Sequence, residues 1–175
     1  MPGDLHTHTN FSDGSSDIEL LPKLAARARL THLAVSDHDT TLSAEYAYKH
    51  PVVRGVHMIP AVELTGFDFV RGRRVHILCY WPKLTPALKE FCALMAARRN
   101  EATEKSMDEL EALYPQFCRE EAKAFAARSG VTYKTHLIRL LFEYGYTDGI
   151  YKELYGQLFG AGRGRVLHDP AYEPV

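Results

Sequence analysis

The sequence predicts an α/β fold, a mostly parallel sheet or barrel interrupted by a helical stretch. Three observations lead there. Short apolar runs that end in polar residues recur through residues 1–81 and alternate with helix-like segments. From residue 85 onward the apolar residues change to a helical period. With 175 residues, 46% hydrophobic and 25% charged, the chain holds enough apolar material for one full domain, or a domain with an insertion.

The first strand ends at Asp4-Leu5-His6-Thr7-His8, and a polar Ser-Asp-Gly turn follows. Asp17 is placed to cap a helix whose apolar stripe is Leu20, Leu21, Leu24, Ala25 and Ala28, with Pro22 making its first turn irregular. THLAVSDHD is an apolar run ending in polar residues, as a buried parallel strand does. Helix-like residues 42–49 lead to HMIPAVELTG, to a turn at RGRR, and to a last run, VHILCYW. TPALKEF starts a helix with Thr85 as cap and Pro86 at the first helical position, and Pro115 ends that helical stretch. REEAKAFAARSG and THLIRLLFEYG read as further helices closed by glycine. The tail GAGRGRVLHDPAYEPV is loop-like. The expected division is therefore 1–84 for the strand-rich part, 85–160 for a helical insertion, and 161–175 for a segment returning toward the sheet.

Composition narrows the function. The net charge of −1 supplies no global field toward nucleic acid or anionic membrane. The local basic clusters, Arg71 with Arg73 and Arg74, Arg98 with Arg99, and Arg163 with Arg165, read as solvated surface. Three widely spaced cysteines, Cys79, Cys92 and Cys118, fit neither a thiolate zinc site nor a disulfide framework; they suit reduced thiols in a cytoplasmic protein. A signal peptide and a membrane-spanning apolar run are not expected.

Four polar clusters interrupt the apolar runs. His6 and His8 stand two apart on a strand end, so they share a face, and Asp13 follows on the turn. His38 lies in Ser36-Asp37-His38-Asp39, directly after an apolar run, where the two acids alone would pass as helix caps. Glu63 follows Ala61-Val62, a costly place for an acid that is neither paired nor metal-bound. His76 sits among Val75, Ile77 and Leu78; alone it would read as a hydrogen-bonded core histidine. Together, His6, His8, Asp13, His38, Glu63 and His76 form a nitrogen-and-oxygen donor set that suits Zn, Mn or Fe, with Glu63 able to bridge two ions. Such clustered cations align phosphate oxygens, water and leaving group.

In order and spacing, DLHTHT..SDG, LAVSDHDT, IPAVELTG and VHILCYW resemble the motifs of the PHP family, the polymerase-associated and histidinol-phosphatase domains. The likeness is nearest to its stand-alone phosphoesterases, which act on nucleoside phosphates or trim RNA from the 5′ end, and it covers nearly the whole chain. The resemblance implies a distorted seven-stranded β/α barrel with a helical insertion, holding up to three divalent ions. It assigns His6, His8 and Glu63 to the first ion, Glu63 with His76 to the second, and Asp13 with His38 to the third. The family also draws ligands from an Ala-His-Pro-like motif and an Asp-x-His pair in its C-terminal third. Neither is present, and His168 in LHDP precedes the place where the first belongs. The sequence therefore predicts an incomplete PHP-type barrel in a truncated chain, with fewer and more weakly held ions. Its open strand edges predict a homodimer, a strand-swapped assembly or helical cover.

The expected function is metal-dependent phosphate-ester hydrolysis, on a phosphorylated small molecule or short nucleic acid, by metal-activated water. Two alternatives stand beside it: a catalytically impaired metal- or nucleotide-binding remnant, and a metal amidohydrolase, which also starts on a His-x-His strand. Substrate phosphate is expected at Lys134, Thr135 and His136, with Thr135 as helix cap and the free N–H groups after it as anion donors.

Overall fold

The computed structural model describes residues 2–160 and 164–175. The chain forms two compact units, Met1–Met95 with Tyr172–Val175, and Ala96–Ala171. Arg163 of the sequence-predicted basic cluster lies outside the described residues.

The first unit is an α/β sheet: β1 (Gly3–Thr7), α1 (Leu21–Arg27), β2 (His32–Val35), α2 (Leu42–Lys49), β3 (Val52–Val53), β4 (Val56–Asp68) and β5 (Arg73–Tyr80). The sheet order is β1-β2-β4-β3, with β5 also on β4. β1, β2 and the start of β4 run parallel, as the alternating pattern predicts, but β3 and β5 run antiparallel to β4. The sheet is therefore mixed and open rather than mostly parallel. Connection length explains the difference, because a parallel pair needs a crossover of about a dozen residues whereas an antiparallel pair needs only a turn. Between β3 and β4 stand only Arg54 and Gly55, both at positive φ (52° and 77°), the geometry of a tight hairpin. Between β4 and β5 stand only residues 69–72.

β4 changes partner midway. Residues 57–60 pair with β2, and residues 61–68 with β5. Pro60, which has no N–H to give, sits at that change. The core beside the parallel strands comprises Ile18, Ala25, Leu33, Val35, Ala47, Val56 and Met58.

Helix α1 begins at Leu21, four residues after the predicted cap. Asp17 instead takes a hydrogen bond from Asn10 Nδ2 at 2.5 Å. The later start places Pro22 in the first turn, where a missing N–H costs no helical bond. Leu20 and Leu24 of the predicted stripe stay exposed.

Helix α3 (Pro86–Leu113) starts where the sequence places it, with Leu88 N–H on Thr85 Oγ1 at 3.2 Å. In the second unit it is followed by α4 (Arg119–Ala124), α5 (Lys134–Glu143) and α6 (Glu153–Phe159). α4 is only six residues long and ends before Gly130, shorter than the pattern predicts. Met107, Leu110, Phe117, Leu137, Ile138, Leu141 and Leu158 belong to the buried core of this unit. Among the described residues no helix is long and apolar enough to cross a membrane.

Candidate metal centre

The site is built where β4 leaves β2. β2 ends at Val35, but Asp37, His38 and Asp39 continue alongside β4: Glu63 N–H donates to Asp37 O at 3.2 Å and Asp39 N–H to Glu63 O at 2.9 Å. Asp39 adopts φ 49° to make this bond. His38 is thereby bridged to Glu63 across strands. On the other side, Ser36 N–H donates to Thr7 O at 2.8 Å, which ties the end of β1 to the same place. The chain then folds back through Ser12 and Gly14, whose N–H groups both reach Thr9 O at 3.0 Å. A side chain at Gly14 would strike the backbone of His8, so only glycine lets Asp13 return beside the strand end.

All six sequence-predicted ligands meet here. Glu63 is the hub and its side chain is only 4% exposed. Its Oε2 lies 2.9 Å from His6 Nε2, 3.2 Å from His8 Nε2 and 3.6 Å from His38 Nδ1. Its Oε1 lies 2.6 Å from His76 Nδ1. Asp13 lies 3.4 Å from His8 Nδ1 and 3.9 Å from His38 Nε2. Three donor groups result: His6, His8 and Glu63; His8, Asp13 and His38; and His38, Glu63 and His76. His8 and His38 belong to two groups each, so they link all three.

Burial opposes ionisation of Glu63, but hydrogen bonds from His76 and His8, the charge of His38 and the bond from His6 outweigh it. The carboxyl is held far below its usual range. Burial also opposes charging of His8, but the Glu63 bond and the charges of Asp13 and Asp37 raise its pKa above the ordinary imidazole value. A buried anion ringed by four imidazoles, with no thiolate in any group, matches the donor chemistry of Zn, Mn or Fe. The cysteines stay outside these groups, and burial followed by the charge of Asp39 pushes the Cys92 thiol up to about 12.

One residue that supports the site reads from the sequence only as a candidate helix cap. Asp37 is fully buried and accepts four hydrogen bonds: from Thr9 N–H (2.7 Å), Thr9 Oγ1 (2.6 Å), Ser12 Oγ (2.6 Å) and Ser43 Oγ. It clamps the segment carrying His8 and Asp13 to the segment carrying His38. The three hydroxyl donors, Thr9, Ser12 and Ser43, are spread through the sequence and carry no spacing that announces them.

The predicted anion-binding residues lie in the second unit. α5 starts at Lys134 with Tyr133 as its cap, so Thr135 is inside the first turn and is not the cap the sequence suggested. His136 Nδ1 accepts the Tyr133 N–H at 3.2 Å. Thr135 Oγ1 and His136 Nε2 are buried without a hydrogen-bond partner. Burial, with the Arg139 charge, pushes the His136 pKa down to about 4. Lys134 pairs with Asp169 at 2.9 Å. His168 is bonded to Glu109 at 2.6 Å.

The chain is 33% identical over 93% of its length to the phosphoribosyl 1,2-cyclic phosphate 1,2-diphosphodiesterase of Eggerthella lenta, of which it spans 62%. It is 32% identical over 81% of its length to the 5′-3′ exoribonuclease Rnm of Escherichia coli, of which it spans 48%. It thus covers about half to three fifths of these relatives. A Bifidobacterium adolescentis protein described as a metal-dependent phosphoesterase shares the fold, with a TM-score of 0.87 at 20% identity over 99% of this chain and 60% of that one. An amidohydrolase from Chromobacterium violaceum, solved with sulfate and no metal, superposes with a TM-score of 0.80 at 25% identity over 98% of this chain and 60% of that one. The PHP domain pattern itself matches residues 4–159, the span that carries all six candidate ligands, and the chain belongs to the PHP domain family.

Proposed function

We propose that the protein is a hydrolase of phosphate esters that works with divalent ions held by His6, His8, Asp13, His38, Glu63 and His76. The observation that carries this reading is the sharing of Glu63, His8 and His38 among three adjacent donor groups, an arrangement suited to ions close together. Ions held there would neutralise charge on the phosphoryl oxygens and would lower the pKa of bound water, so that it could lose a proton and attack phosphorus as hydroxide. The protein's own part is positional. Glu63 presents one oxygen to His6 and His8 and the other to His76, so its carboxylate can serve two of the groups at once. Asp37 holds the two histidine-bearing segments at fixed separation. Zn, Mn and Fe are the ions that the donor set favours.

Substrate phosphate is assigned to the start of α5. Lys134 offers a cation there, and the unpartnered Thr135 Oγ1 and His136 Nε2 support a polar ligand at this helix start. The relatives named above act on a cyclic ribose phosphate and on RNA, which supports a phosphorylated small molecule or short nucleic acid as substrate. In this reading residues 1–84 are the first part of a PHP-type barrel, residues 85–160 a helical insertion and residues 161–175 a return toward the sheet; a cytoplasmic site of action and self-association through the open sheet edges belong to it.

A second reading, metal-dependent amide hydrolysis, draws support from the Chromobacterium violaceum neighbour and the His-x-His strand. One experiment separates the two. Purified protein is analysed for metal, then screened for phosphate release from nucleotides and short RNAs and for hydrolysis of cyclic amides. Metal-dependent phosphate release supports the first reading. Amide hydrolysis without phosphate release overturns it.

A further inference from the structure

We propose that Arg74 binds a second phosphate of the substrate, the neighbour of the one that reaches the histidine–carboxylate cluster. The inference rests on the phosphoesterase reading and narrows its substrate to single-stranded oligonucleotides, which carry phosphates in series.

The β4–β5 register places Arg74. Thr65 stands opposite His76, and Phe67 opposite Arg74. Residues two apart on a strand share a face, and so do directly opposed residues. Glu63, Thr65 and Phe67 of β4 therefore share one face with Arg74 and His76 of β5. Arg73, one position away, belongs to the other face. From His76 to Arg74 is one strand repeat of about 7 Å, running from the cluster toward the hairpin tip. That length is comparable with the separation of neighbouring phosphates in an extended single strand.

Arg74 is also chemically distinct from its neighbour Arg71. Arg71 is committed to the turn, bonded to Asp68 through its N–H at 3.0 Å and its guanidinium at 2.9 Å. Arg74 is exposed and has no carboxylate within ion-pair distance among the described residues; its contact is Tyr172 Oη at 3.5 Å. A planar guanidinium without an acid partner is well matched to phosphate oxygens.

The surroundings of Arg74 are built rather than incidental. Phe67 N–H donates to Glu173 O at 2.9 Å, and Val175 N–H to Phe67 O at 3.2 Å. A side chain at Gly66 would collide with Val175, so glycine permits this approach. The two bonds hold Tyr172 parallel to the Phe67 ring, 6.0 Å apart and tilted by 9°. Phe69 follows at 65% exposure, its ring 4.9 Å from Phe67. Aromatic rings beside an arginine form the kind of platform on which bases of a single strand stack.

The test compares the metal-loaded protein with Arg74→Ala, Arg74→Lys and Tyr172→Phe. Two quantities are read: the Kd of a dye-labelled 5′-phosphorylated dinucleotide, and KM and kcat for that dinucleotide, for a nucleoside monophosphate and for 4-nitrophenyl phosphate. Arg74→Ala is expected to raise Kd and KM for the dinucleotide roughly tenfold, the scale of one charge-assisted contact. Metal content and the kinetics of the two single-phosphate substrates should stay within about twofold, Arg74→Lys should recover part of the loss, and Tyr172→Phe should fall between. Equal losses on all substrates, lowered metal content, an unchanged dinucleotide Kd or a wild type that does not bind the dinucleotide would overturn the proposal. Absence of phosphate release from every ester would sink the phosphoesterase reading alone, since the binding measurement still reads Arg74.

Discussion

Glu63 and His76 sit diagonally across the β4–β5 pair, two register positions apart on a shared face, with Glu63 Oε1 2.6 Å from His76 Nδ1. Because the other oxygen of Glu63 faces His6 and His8, this one contact joins the hairpin to the parallel strands through a single carboxylate.

Glu63→Gln should therefore disturb two donor groups and His76→Ala only one. Elemental analysis after gel filtration is expected to show a larger loss of bound metal for Glu63→Gln. Equal losses in the two variants would contradict the shared role of Glu63.

Asp37→Asn keeps the shape of the clamp but removes its charge and leaves donors facing an amide. Metal affinity is expected to fall about 10- to 100-fold, the scale seen when groups supporting metal ligands are lost. Stability should drop by about 1–3 kcal/mol through unsatisfied buried polar groups. Urea melts with and without metal measure the two effects separately; an unchanged affinity would reduce Asp37 to a folding residue.

Metal binding should release protons and weaken in acid. The pKa of His8 is raised, and its nitrogens must be deprotonated to bind an ion. In the metal-free protein the sign is opposite. A raised folded pKa stabilises fully below the ordinary imidazole value and loses that contribution as pH rises through the raised value. Calorimetric titrations in buffers of different ionisation heat should show proton release near neutrality, and a buffer-independent heat would contradict it.

His136 predicts an acid-side loss of stability in the second unit. Its pKa falls from the ordinary 6.5 to about 4 because burial disfavours the charged ring. Above 6.5 the imidazole is neutral in both states and contributes no penalty. As pH falls from 6.5 toward 4 the unfolded chain takes up a proton that the folded one refuses, costing up to about 3 kcal/mol. The loss then levels off. His136→Gln should flatten that part of the stability–pH curve; an unaltered slope would assign it to other groups.

The sequence by itself determined the ligand types and their place at the ends of apolar runs. It also determined the helix start at Thr85-Pro86 and the α/β class, because strand period, helix caps and prolines act over a few residues. Strand–helix alternation pointed to a parallel sheet, and the turn read at RGRR falls two residues late, because residues 69–72 make the turn and Arg73 and Arg74 already pair in β5. What only tertiary structure decided was which atoms face which. Glu63 became the hub because β4 outruns β2 and pairs onward with β5, a relation between distant segments that no local period encodes. Asp37 drew its donors from Thr9, Ser12 and Ser43, and His136 lost its charge to burial, for the same reason. Hydrogen-bond partners and desolvation depend on neighbours in space, and those exist only once the chain has folded.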